Sequence, residues 1–130
     1  SDVERQFINI MSDKHGYSCL RSPGSGGRTE RDRPDAICLR AGAMEPDVII
    51  AAEIKKRPDG TVTFTREEIE ALERWAETAG AEPYAVVKPD LRRFDHWLVM
   101  HTSVLHETEN GYSIRKQDHD RCESIPTVFR

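Results

Sequence analysis

Cysteine is scarce in this chain and follows no pattern. Cys19, Cys38 and Cys122 are odd in number and widely spaced, with no Cys-x-x-Cys pair. That argues against a disulfide framework or a zinc site and for a reducing cytoplasm. Cys19 and Cys38 read as small buried strand residues. Long apolar runs are absent, so no transmembrane helix is expected. The first residues are polar, so no signal peptide is expected either. Positive charge is short as well: 19 Lys and Arg stand against 23 Asp and Glu, a formal net charge of −4. The chain as a whole therefore lacks the basic footprint of a phosphate-gripping protein. Apolar residues make up 37% and charged residues 32% of the 130 positions. Such a chain suits one well-solvated domain over 1–130, long enough to bury a core.

The charges present are unevenly spread. Arg21, Arg28, Arg31, Arg33 and Arg40 crowd one region, and Lys55-Lys56-Arg57 closes another segment, while acids concentrate in 67–82 and 107–123. A basic face with an acidic back is one reading. Adaptation to high salt, where surplus carboxylates are common, is another.

The stretch from Pro34-Asp35 to Glu53-Ile54-Lys55 organises the rest. The run Val48-Ile49-Ile50-Ala51-Ala52 is apolar without alternation, which predicts a strand buried on both faces. Ending such a strand in Glu-x-Lys puts charges at the rim of a core, where they need partners or a metal. Side chains alternate along a strand, so Glu53 and Lys55 share a face, while the Ile54 carbonyl stays near Glu53. If Asp35 folds back alongside, two carboxylates, a backbone oxygen and an ammonium meet. Carboxylates and carbonyls are the ligands that hard divalent cations such as Mg²⁺ prefer. An ammonium beside them orients a water or steadies a phosphate oxygen, which is equipment for metal-assisted phosphodiester hydrolysis. The competing reading is two solvated strand ends with surface charge. Asp47, in a second Pro-Asp pair, lies about 20 Å from Glu53 in an extended strand, so Asp35 is the preferred acid.

Around that stretch the chain reads as follows. Val3, Phe7, Ile10 and Met11 form the apolar stripe of a helix over 2–14, capped by Asp2 or Ser1 and stopped by Gly16. Glu4 sits beside the stripe, either complementing the helix N-terminus or serving a site. Tyr17 to Arg21 is a short strand. Ser22-Pro23-Gly24-Ser25-Gly26-Gly27 is either a plain connector or a loop whose N–H groups and Ser25 hydroxyl approach phosphates; no Walker Lys follows. Strands are expected over 34–40, 47–57, 61–64, 83–88, within 94–100, and over 111–115. Thr65 and Glu68 form a capping box for a helix to Ala79, with Ile69, Leu72, Trp75, Ala76 and Ala79 inward. The glutamates of that helix read as a solvated face. Lys88 is a surface charge or a DNA contact, and Trp97 is buried or at an interface. His96, His101 and His106 read as unrelated. The polar tail 117–130 has no assignable structure.

The ordered set resembles the archaeal Holliday-junction resolvases of the Hjc type, within the PD-(D/E)xK nuclease superfamily. The pieces that carry it are Glu4-Arg5, Arg21-Ser22-Pro23-Gly24-Ser25-Gly26, Pro34-Asp35 and Glu53-Ile54-Lys55, followed by Trp75-Ala76, Gly80-Ala81-Glu82-Pro83, Tyr84 to Lys88, and Trp97. It covers residues 1 to about 100. The resemblance implies an α/β fold, a mixed central β-sheet flanked by α-helices, like that of restriction endonucleases. It implies metal ligation by Glu4, Asp35, Glu53 and the Ile54 carbonyl, with Mg²⁺ as cofactor and Mn²⁺ able to substitute. Lys55 would position the water, and Ser25 would assist near the scissile phosphate. DNA contacts would come from Arg5, Arg21, Gly24, Ser25, Gly26, Arg28, Lys56, Arg57 and Lys88. The partners implied are branched DNA and a second copy of the chain, a homodimer nicking opposed strands of a four-way junction.

Departures are visible too. The Asp35-to-Glu53 spacing is long for the family, extra charges follow the glycine loop, and the net charge is acidic where relatives are basic. A full-length relative is expected to start earlier, with a basic leader. Two alternatives stay open: another endonuclease of the superfamily, of restriction or repair type, and a catalytically silent DNA-structure binder or interaction domain.

Overall fold

The computed structural model describes residues 2–22, 33–56, 60–88 and 97–129. In order these form α1 (Asp2–His15), β1 (Ser18–Arg21), β2 (Ala36–Arg40), β3 (Val48–Lys56), β4 (Val62–Thr65), α2 (Arg66–Ala79), β5 (Glu82–Lys88), β6 (Leu98–His101), β7 (His106–Thr108), β8 (Gly111–Ile114) and α3 (Ile125–Val128). Two 3₁₀ turns, Thr102–Val104 and Lys116–Arg121, join the later elements. Among the described residues no helix is long and apolar enough to cross a membrane.

The main sheet has the order β1-β2-β3-β5-β6, with β3 and β5 parallel and the other neighbours antiparallel. The mixed sheet between helices is the architecture expected from sequence. β3 lies at its centre because nothing in Ile50-Ala51-Ala52 tolerates water, and all three are buried. One face, through Ile50, Ala52 and Ile54, packs with Phe7 and Met11 of α1, Tyr17 and Phe129. The other face, through Ala51, packs on Leu72 and Ala76 of α2. Gly16 ends α1 at φ +73, and Gly80 ends α2 at φ +70, both in the left-handed region that glycine adopts without a Cβ clash.

Three features depart from the sequence expectation. A small second sheet, β4-β8-β7, packs beside α2, and its three-residue β7 went unseen because so short a run has no period. The tail is not loose. Asp118, 2% exposed, accepts from the Arg115 N–H at 2.9 Å and from its guanidinium at 2.9 and 3.0 Å. Those bonds hold its carboxyl down at about 2. Glu123 then bridges to Val99 at the outer edge of β6, and Ile125 and Phe129 enter the same core as Phe7. Phe129 meets the Tyr84 ring edge-on at 5.0 Å and the Phe7 ring at 6.4 Å. Finally, Cys38 is buried as expected, but Cys19 is half-buried, and the two stand directly opposite each other on β1 and β2. Trp97 is half-buried against Phe7, ring centroids 6.0 Å apart.

Because Phe129 closes the core under α1, Phe129→Ala is expected to lower the unfolding free energy by about 3–5 kcal/mol in a urea titration. A loss below about 1 kcal/mol would mean that the tail is dispensable to the core.

Candidate active site

The site begins where β2 starts and β3 runs past it. The two strands pair from Ala36 with Ala52 to Arg40 with Val48, so β3 extends beyond its neighbour for the length of Glu53 to Lys56. Asp35 fills the gap. Its backbone N–H donates to the Ala52 carbonyl at 2.9 Å, and its Oδ2 accepts from the Ile54 N–H at 2.8 Å. The carboxylate thus takes the ladder bond that one more strand residue would have taken. In a strand the N–H and C=O of one residue point to the same side, so the Ile54 carbonyl faces this gap as well.

Glu53 lies across the strand pairing from Asp35 on the same face, and the negative charge of Asp35 reaches its carboxyl. Burial, then the negative charges of Asp35 and Glu68, push Glu53 up to about 9, with Lys55 opposing. Asp35 is also raised, first by burial and further by the charges of Glu4 and Glu68, although the Ile54 N–H and Glu53 offset part of this. Both shifts disfavour ionising the two carboxyls together.

Lys55 projects from the same face toward α2. Its Nζ meets Glu68 Oε2 at 3.0 Å and Oε1 at 3.3 Å, with the Phe64 ring centroid 5.6 Å away. Glu68 is itself fixed by its capping box: Oε1 accepts from the Thr65 N–H at 2.8 Å, while the Glu68 N–H donates to Thr65 Oγ1 at 3.0 Å. Burial raises the Glu68 carboxyl, but the Thr65 N–H and the Lys55 ammonium outweigh it and hold the group below its ordinary value. This departs from the reading of the α2 glutamates as a solvated face at Glu68; Glu67, Glu70 and Glu77 are exposed as read. Glu68 was legible only as a cap; that the cap also faces Lys55 depends on how α2 crosses the sheet.

The other candidates lie around this centre. Glu4 is half-buried on α1 and makes itself felt at Asp35 through its charge. Arg21 is exposed at the end of β1, paired with Ala36 beside Asp35. The adjacent Ser22 donates its N–H to the Asp35 carbonyl at 3.1 Å and its hydroxyl to the Pro34 carbonyl. Lys56 and Lys88 stand in register on β3 and β5 and line a cavity of about 230 Å³ with Asp2, Val3 and Gln6; Lys88 Nζ donates to Gln6. Arg5 is exposed and ion-paired to Asp2 at 3.2 Å. Gly24, Ser25, Gly26, Arg28 and Arg57 lie outside the described residues. Asp47 accepts from the Gly42 N–H at 2.9 Å, at the opposite end of β3.

Residues 1–126 match the family profile of the archaeal Holliday junction resolvases (Hjc). The chain belongs to that family. It is therefore a junction-resolving nuclease, and nucleases of this family are in general metal-dependent. Among solved structures, the chain is similar to Archaeoglobus fulgidus Hjc, a Holliday junction resolvase from an archaeal hyperthermophile. The TM-score is 0.84 at 23% identity, over 99% of this chain and 98% of that one. At that identity the likeness bears on the fold, which is that of a resolvase. A search of curated protein sequences finds no match.

The donor set fits a hard divalent cation. Among the described residues no three His, Cys, Asp or Glu side chains gather into a cage. A resolvase with two adjoining carboxyls and a strand-end carbonyl suits an ion that takes one or two carboxylates and keeps several waters. The raised carboxyl pair marks the place, since a cation relieves the same repulsion.

This arrangement sets a pH dependence for the metal-free protein. A group whose folded value is raised contributes stability below its unfolded value and loses it as pH rises through the folded one. For Glu53 that window runs from 4.5 to about 9. The parent protein is therefore expected to lose stability across this window relative to Glu53→Gln, measured by urea unfolding in a chelator at several pH values. A constant difference between the two would contradict the raised Glu53 carboxyl.

Proposed function

We propose that the chain, as a single nuclease domain over 1–130, cuts four-way DNA junctions by hydrolysing a phosphodiester on each of two opposed strands. The cofactor in this reading is Mg²⁺, with Mn²⁺ able to substitute, and the setting is cytoplasmic. The observation that carries it is the Asp35 carboxylate folded onto the Ile54 N–H beside Glu53, next to an ammonium held by Glu68.

Asp35 and Glu53 would hold the cation, with the Ile54 carbonyl on the same edge and Glu4 contributing negative charge from α1. The bound ion would supply Lewis acidity and lower the pKa of water. Lys55 orients that water or donates to a phosphate oxygen, and Ser25 assists near the scissile phosphate. Glu68 is a positioning residue. Its carboxylate directs Nζ along one line rather than leaving a four-carbon stem to sample many. Arg21, Lys56 and Lys88, with Arg5, Gly24, Ser25, Gly26, Arg28 and Arg57, would meet the DNA backbone. These contacts neutralise phosphates locally despite the net charge of −4.

A homodimer is supported by the outer sheet face of β1 and β2. Leu20, 65% exposed, and Leu39, 39% exposed, lie there with Ile37 between them. Strand alternation puts all three on the same face as Asp35 and Glu53. A second copy seated there would bring its own carboxyl pair close by, in the two-fold relation that a four-way junction presents.

The experiment is a cleavage assay on four-way, flapped and linear DNA with and without Mg²⁺. Paired nicks on opposite arms, with Mg²⁺ and on junctions alone, are expected. Glu53→Gln should abolish nicking while junction binding survives, and Glu68→Gln should lower kcat about 10- to 100-fold with little change in binding. Cleavage by Glu53→Gln at the parent rate would overturn the site, and equal cutting of linear duplex would overturn the junction specificity.

A further inference from the structure

Cys19 and Cys38 take no part in the chemistry above, yet they are the tightest unexplained pair of reactive side chains in the described structure. Their Sγ atoms lie 2.8 Å apart across the β1–β2 pairing. The register explains the closeness. Ser22 donates its N–H to the Asp35 carbonyl at 3.1 Å, which makes that the hydrogen-bonded type of antiparallel pair. Pair types alternate along the ladder, so Leu20 with Ile37 repeats the type, and Cys19 with Cys38 falls on the other. In that type the Cα atoms stand about 4.5 Å apart and the side chains are nearest. A disulfide accepts Cα separations of about 4.4–6.8 Å. The backbone therefore holds both sulfurs at bonding range without rearrangement.

We propose that Cys19 and Cys38 form a reversible oxidation site, which a two-electron oxidant of the peroxide class converts to an intrachain disulfide fastening β1 to β2.

The environments divide the labour. Cys38 is buried, whereas Cys19 is half-buried and open to a small oxidant. The hydrogen bond with Cys38 also holds the Cys19 thiol below its ordinary value, while that same bond, together with burial, pushes Cys38 up. Cys19 is thus the attacking thiolate. Its sulfur takes one oxygen of hydrogen peroxide, the O–O bond breaks, and water leaves, giving a sulfenic acid. The Cys38 sulfur then attacks the Cys19 sulfur, the S–O bond breaks, and a second water departs with the Cys38 proton. Two thiols and one peroxide become one disulfide and two waters. Cys122 stands apart: it packs in a different core cluster, and burial pushes its thiol up to about 11.

The effect lies on β1. It is the outermost strand of the main sheet, short, and paired only with β2. An edge strand of that kind opens locally at lower cost than the centre. The bond closes the segment from Cys19 to Cys38, whose ends Ser22 and Pro34 already meet beside Asp35. Cross-linking there restricts the unfolded chain and pins the strand from which Arg21 projects.

The test treats the folded chain with hydrogen peroxide, then blocks free thiols and maps the peptides. A Cys19–Cys38 linkage with Cys122 still free is expected. Dithiothreitol should reverse it, and the oxidised form should melt on the order of 10 °C higher. In Cys38→Ser, Cys19 should halt as a sulfenic acid trapped by dimedone, with nicking under reducing conditions unchanged. Linkage through Cys122 or to a second chain would overturn the proposal. So would a disulfide that forms only in denaturant, or an untrapped Cys19 in the variant.

Discussion

Two carboxyl groups, Asp35 and Glu53, crowd one face of the sheet at the point where β2 begins and β3 has already run past it. Everything else in the site follows from that crowding. Asp35 is pinned from both directions, its N–H on the Ala52 carbonyl and its Oδ2 on the Ile54 N–H, so it cannot swing away from Glu53. Glu53 cannot retreat either, because β3 is anchored by residues buried on both faces of the sheet. Like charges at such range do not both ionise unaided. The fold thus stores an unmet demand for positive charge, which a hard cation would meet.

The same economy governs Lys55. An ammonium next to a protonated acid would drift, since its stem is flexible. Glu68 removes that freedom, and its own position is set by the backbone at the start of α2. A single carboxylate thereby caps the start of a helix and holds the Lys55 amine. That contact ties Lys55 to the helix whose Ile69, Leu72 and Ala76 are buried.

Much of this could be read from residue order. The apolar run before Glu53 announced a strand buried on both faces, the Thr65–Glu68 box announced the helix, and Asp35 was preferred over Asp47 from strand length alone. What stayed hidden depended on register or on short elements. Opposition of Cys19 to Cys38 is a property of strand pairing, which no single-strand pattern encodes. Glu68 looked solvated because helix periodicity says which side faces a core, not what lies across from the first turn. The tail had no assignable structure because a 3₁₀ turn and the short α3 show no period, although Phe129 within it completes the core under α1.

The central claim is that Asp35 and Glu53 hold one divalent ion between them. Crystals soaked in Mn²⁺ and measured for anomalous scattering test it most directly. The account predicts a single strong peak contacting an oxygen of each carboxyl on the edge faced by the Ile54 carbonyl. A peak elsewhere on the molecule, or none while the two carboxyls remain paired, would contradict it.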